Sequence, residues 1–172
     1  MSKQPTLRPG DLVVACQLAI TPAAQFLQLA EATGLSAGEC HNAVRRLRLA
    51  RLILADERRP SCEILHQFLV HGAPFAFPAV LGTPTIGIST AHSSPAFHAI
   101  VESTEGFVWP HADGTARGQS LIPLFPGAPE LPGRNQPLYE LLTIIDALRV
   151  GTTRVRKVAA ELLAERLSVS KA

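Results

Sequence analysis

Ten of the fourteen prolines in this 172-residue chain fall between residues 73 and 137. Proline lacks a backbone N–H and its ring clashes with the preceding helical turn, so that stretch cannot hold long helices. Three of the remaining prolines, Pro9, Pro22 and Pro60, stand where helices can open. The chain therefore divides into a helical zone to about Gly72, an irregular zone, and a second helical zone beginning at Pro137. Charge follows a similar division. Residues 1–60 carry eight Lys/Arg against five acids (+3), residues 61–133 one against five (−4), and residues 134–172 seven against four (+3). Two mildly basic ends flank an acidic middle, which favours a polyanion at one or both ends.

Hydrophobic residues make up 47% and charged residues 17%, enough apolar material for a core and too little charge for wholesale disorder. Aromatics are only 5%, so aliphatic side chains must fill that core. No run approaches the roughly 18 apolar residues of a membrane span. The start, Met1-Ser2-Lys3-Gln4-Pro5, lacks the apolar stretch of a secretory signal. Cys16, Cys40 and Cys62 show no paired metal spacing, and an odd count argues against a disulfide framework. A soluble, reduced, cytoplasmic protein without metal or cofactor is the expectation.

The first helix is expected from Pro9, with Leu12, Val13, Cys16 and Ile20 on one face. Thr21-Pro22 ends it and opens a second helix through Phe26 and Leu29 to Thr33. Ser36-Ala37-Gly38-Glu39 is a capping box opening a third helix to about Arg51. A short strand at Leu52-Ile53-Leu54, a charged turn at Asp56-Glu57-Arg58-Arg59, and a fourth helix from Pro60-Ser61 to His71-Gly72 follow. In the middle zone, Thr85-Ile86-Gly87-Ile88 and Ala99-Ile100-Val101 read as extended pieces. That zone keeps Trp109 and several phenylalanines, so it is expected to lie folded over the helical parts. A helix from Pro137 to about Leu148 precedes a last one from about Arg154 to Leu167, capped by Thr152 or Thr153. Leu141, Ile145, Leu162 and Leu163 on this pair offer apolar stripes for a dimer or partner interface. Arg154, Arg156 and Lys157 oppose the dipole of the last helix, which points to an anionic partner.

The strongest motif is Leu29-Ala30-x3-Gly34-Leu35-Ser36-x3-Cys40-x3-Val44-x2-Leu47. Ala30 is small where helices cross, Gly34 suits a left-handed turn, and Leu35 can plug it. Ser36 caps the next helix, and Cys40, Val44 and Leu47 bury its inner face. Its outer face is Ala37, Gly38, His41, Asn42, Arg45 and, at the edge, Arg46 and Arg48. Small residues at the helix start permit close approach to a groove. His41, Asn42 and Arg45 can reach base edges, while the remaining arginines suit phosphates.

The stretch from Pro9 to about Pro60 resembles the winged helix-turn-helix domains of bacterial transcriptional regulators, especially the multiple-antibiotic-resistance (MarR) type. Leu52-Ile53-Leu54 and Asp56-Glu57-Arg58-Arg59 match the strand and wing in position, which adds Arg58 and Arg59 to a DNA-contacting set of Ser36, Ala37, Gly38, His41, Asn42, Arg45, Arg46 and Arg48. The expected fold is mainly α with short β pieces: a winged helix-turn-helix over 1–72, then 73–172 as a loop-rich middle and a C-terminal helical pair serving partner binding or dimerisation. The resemblance and layout imply a non-enzymatic, sequence-specific regulator of transcription. It would bind double-stranded DNA as a homodimeric repressor, in the manner of antitoxin-type autoregulators, with a toxin as partner protein and no membrane association.

Two other classes compete. A protein-docking adaptor would use the same helices as scaffold and the middle segment to wrap a partner. An enzyme could use Ser89-Thr90-Ala91-His92-Ser93-Ser94 with His98, but no nucleophile-elbow pattern accompanies these residues, and a turn-rich loop is the simpler reading. His66 and His71 read as packed or capping histidines, and His92, His98 and His111 lack metal-site spacing. The middle-zone glycines form no phosphate loop. Trp109 is expected in the core, ahead of an Asp113-Gly114 turn.

Overall fold

A computed structural model describes residues 4–98, 100 and 106–169. α1 (Pro9–Ile20) is apolar nearly all round, and such a helix must be buried on all sides. Every residue from Asp11 to Leu18 is buried, with α1 packed against α2 (Phe26–Thr33), α3 (Ala37–Leu49) and, from the far end of the chain, α6 (Gln136–Val150). The sequence suggested one apolar face; the structure uses the whole circumference. α2 begins at Phe26 instead of Pro22, because Gln25 and Gln28 form the cap (Gln25 N–H to Gln28 Oε1, 2.8 Å). The preceding loop is pinned by an Ala23 N–H donating to the Arg58 carbonyl (2.9 Å).

Gly34 ends α2 in the left-handed region (φ 81°), its N–H donating to the Ala30 carbonyl at 2.8 Å. Ser36 and Glu39 form the reciprocal cap of α3: the Ser36 N–H donates to the Glu39 carboxylate (2.8 Å), and the Glu39 N–H to the Ser36 hydroxyl (3.2 Å). After α3 the strand expected at Leu52–Leu54 is reduced to one bridging pair, Ile53 with Pro60. α4 (Cys62–His71) and the single-turn α5 (Ala73–Ala76) follow.

The middle zone is more ordered than its proline content suggested. β1 (Leu81–Thr90), β2 (Phe107–Pro110) and β3 (Ala116–Leu121) close into a three-stranded barrel, β1 antiparallel to both partners and β2 parallel to β3. Closure at so small a radius forces backbones together. A Cβ on Gly87 would collide with the Trp109 carbonyl, and one on Gly118 with the Gly106 carbonyl. Apart from Ile100, the extended piece expected at 99–101 lies outside the described residues.

The chain is thus mixed α/β, with seven helices and a three-stranded sheet among the described residues; it agrees only in outline with a mainly α chain carrying short β pieces. α6 anchors the barrel. Its fully buried Asp146 accepts hydrogen bonds from Trp109 Nε1 (2.7 Å) and Thr90 Oγ1 (2.8 Å) and pairs with Arg149 (2.6 Å). Arg149 also donates to the carbonyls of Phe77 (2.8 Å) and Pro78 (3.1 Å), tying α6 to the segment that follows α5. Burial pushes the Asp146 carboxyl up, against the pull of Arg149, Thr90 and Trp109. α7 (Thr153–Arg166), capped by Thr152, packs on α6 and α4. Leu141, Ile145 and Leu163 are buried in these internal contacts and Leu162 is half-buried against the same core, so the stripes expected to supply a dimer or partner interface are largely covered within the chain itself. One apolar core runs from α1 through α4, Trp109 and α6 to α7.

Candidate nucleic-acid interface

α3 is held by its inner face. Cys40, Val44 and Leu47 are buried, at the helical spacing the motif demanded, Ala43 is buried beside them, and Thr33 from α2 donates to its own Leu29 carbonyl (2.7 Å) beside Cys40. Gly38, His41, Asn42, Arg45 and Arg48 are therefore exposed, and Ala37 is half-buried. The hydroxyl of Ser36 is engaged with Glu39 in both directions, donating at 2.7 Å as well as accepting. These hydrogen bonds hold the Glu39 carboxyl below its ordinary range. Ser36 consequently fixes the start of α3, with its side chain already occupied.

Arg46 departs from its expected place among the phosphate contacts. Its guanidinium turns inward onto Asp11, Nε to Oδ2 at 2.8 Å and Nη2 to Oδ1 at 2.6 Å. Asp11 is completely buried in the first turn of α1, where it also accepts the Arg8 N–H (2.9 Å). A buried carboxylate needs such a partner, so Arg46 ties α3 to α1. The sequence carried a signal for this: an acid directly before Leu12-Val13-Val14, in a helix whose only other polar side chain is Gln17.

Arg58 also has a packing role. Its guanidinium lies 5.1 Å from the centre of the Phe26 ring and contacts the Ala23 carbonyl at 3.4 Å. His41 meets the same ring edge-on at 5.2 Å. Phe26 thereby joins the exposed face of α3 to the 56–59 turn, a linking role the sequence pattern did not assign to it. Arg59 remains exposed.

Two clefts flank this face. Phe26, His41, Val44, Arg45, Arg48 and Leu49 line one of about 300 Å³. Pro22, Ala23, Arg48 and the 56–59 turn line another of about 560 Å³. Arg48 lines both. The larger cleft is not uniformly basic, since Asp56 and Glu57 line it beside three arginines.

The Ser/His region lies elsewhere. Ser89, Ser93, His98 and Tyr139 line a cavity of about 270 Å³, while His92 packs edge-on against Phe107 (5.4 Å). The Ser93 hydroxyl accepts the Phe107 N–H (2.7 Å), and Tyr139 donates to the Ser89 carbonyl (2.6 Å). Among the described residues no carboxylate lines this cavity; Glu102 and Glu105 lie outside them. His66 Nε2 donates a hydrogen bond to the Ala160 carbonyl at 2.9 Å, tying α4 to α7. No cluster of three or more His, Cys, Asp or Glu suited to a metal occurs among the described residues, and no helix there is long and apolar enough to cross a membrane. No protein-family model, curated protein or solved structure matches the chain.

Proposed function

We propose that this protein binds duplex DNA sequence-specifically through the exposed face of α3 and acts as a dimeric transcriptional repressor. The carrying observation is that small Gly38 and the hydrogen-bonding His41, Asn42, Arg45 and Arg48 all face solvent on one side of a helix whose opposite side is locked into the core. Small residues near the start let the helix approach a groove closely. Asn42 and Arg45 come within its first turns, where side chains meet base edges. Arg48 and Arg59 suit the flanking phosphates, with Arg58 holding the turn against Phe26. Dimeric action would join two half-sites and bring affinity and specificity into a useful range. The antitoxin-type role adds a partner protein to this scheme.

Selection of bound sequences from a random duplex pool tests the proposal, followed by binding across a salt series. Arg45→Ala should cost about 1–3 kcal/mol on the selected site and relax its specificity, whereas Arg59→Ala should weaken all duplexes alike and lower the salt slope by about one. Absence of any enriched sequence at low salt would overturn the proposal. The adaptor reading would then gain, and one observation favours it: Leu49, beside Arg45 and Arg48, is 59% exposed, an apolar side chain phosphate contacts would not use.

A further inference from the structure

One basic cluster is left unused by α3 and its clefts. Arg154, Arg156 and Lys157 crowd the start of α7, where cations oppose the helix dipole, and none of them forms an ion pair among the described residues. Beside them stands an equally unsatisfied apolar group. Phe75 on α5 is 81% exposed, more than any other large apolar side chain among the described residues. The two features share a groove of about 350 Å³, in which Pro74, Phe75 and Leu148 supply the apolar lining and His71, Arg156 and Lys157 the polar one. No carboxylate lines it, and it shares no residue with the clefts around α3.

We infer that this groove docks an acidic amphipathic helix of a partner protein, its apolar side chains seated on Phe75 and its carboxylates on Arg156 and Lys157. A helix laid in a groove presents apolar anchors at i, i+3 or i+4 and i+7, with its flanks free to carry charge, which matches an apolar lining with cations beside it. The charges decide between occupants. A second copy docked through a two-fold axis would bring this patch against itself, with two cations a side and no carboxylate to meet them, and like charges brought together oppose such pairing. Nucleic acid would use the cations through its phosphates but leave Pro74, Phe75 and Leu148 without purpose. An acidic amphipathic segment uses both halves of the groove.

The test is a phage-displayed library of random 16-residue peptides selected on the full chain. Enriched peptides should combine Asp/Glu with Leu, Ile or Phe at helical spacing, and fluorescence anisotropy should show their affinity falling as salt rises. Phe75→Ser, at a position too exposed to disturb the core, should weaken them at least tenfold without moving the thermal midpoint. Arg156→Glu/Lys157→Glu should weaken them similarly and favour versions of the peptides with Lys in place of Glu. No enrichment, enrichment of basic peptides, or equal binding to Phe75→Ser would overturn the inference. So would self-association in sedimentation that Phe75→Ser abolishes, which would mark a second copy as the occupant. A loss of duplex-DNA affinity in the charge-reversed variant, with peptide binding unchanged, would overturn it in favour of nucleic acid.

Discussion

Arg45 and Arg46 are neighbours in sequence with opposite structural fates, and their replacement by alanine separates a packing role from a recognition role. Asp11 is fully buried and accepts three hydrogen bonds, two of them from the Arg46 guanidinium. Arg46→Ala leaves that carboxylate with the Arg8 N–H alone. Breaking a buried pair from one side costs about 3–5 kcal/mol, because the remaining charge is stranded. The Arg46 side chain keeps 20% of its exposure, so water can partly reach the vacated place. The lower end, about 3 kcal/mol, is therefore expected. For a chain of this size that lowers the thermal midpoint by about 6–12 °C. Arg45 has no such partner among the described residues, and its loss should shift stability by no more than about 0.5 kcal/mol. Asp11→Leu/Arg46→Met removes both charges and should recover most of the loss. Urea unfolding followed by circular dichroism measures all four proteins. If Arg46→Ala and Arg45→Ala agree within 0.5 kcal/mol, or if the double variant is no better than Arg46→Ala, the ion-pair reasoning is wrong.

Further outcomes follow from other sites. Gly34→Ala forces a side chain into the left-handed region and toward the Arg134 guanidinium, so it should destabilise by about 1–2 kcal/mol in urea unfolding. Trp109→Phe keeps an aromatic side chain but removes the Nε1–H that Asp146 accepts, and calorimetry should show a loss of about 2 kcal/mol. Because Ser36 holds the Glu39 carboxyl below its ordinary value of 4.5, the α3 cap is at full strength above that pH and is lost as pH falls through the lowered value. The thermal midpoint of the parent chain should then fall more steeply than that of Ser36→Ala on acidification, and parallel curves would count against the cap. Burial pushes the Cys16 thiol up to about 12, so a thiol reagent at neutral pH should modify the partly exposed Cys62 in the folded chain and reach Cys16 only in denaturant.

Local signals carried the helical parts of this protein. The Ser36–Glu39 box, Gly34 between two helices, the 3–4 spacing of Cys40, Val44 and Leu47, and Thr152 ahead of α7 each involve residues within a few positions of one another. Backbone geometry and capping chemistry act at that range, and the exposed face of α3 follows once its inner face is known. Tertiary structure decided the rest. The barrel needs β1 to meet strand residues 17 to 40 positions further on, at close crossings that glycines such as Gly87 and Gly118 permit, and no local period encodes such closure. Arg46 reads from the sequence as one more surface cation. Only the approach of α1, bringing a buried carboxylate from 35 residues away, turns it inward. The stripe of α6 reads as a surface in want of a partner until α1, α7 and the sheet are seen to cover it. Whether a charge or an apolar face is free depends on what the folded chain brings against it, and that is a property of long-range packing.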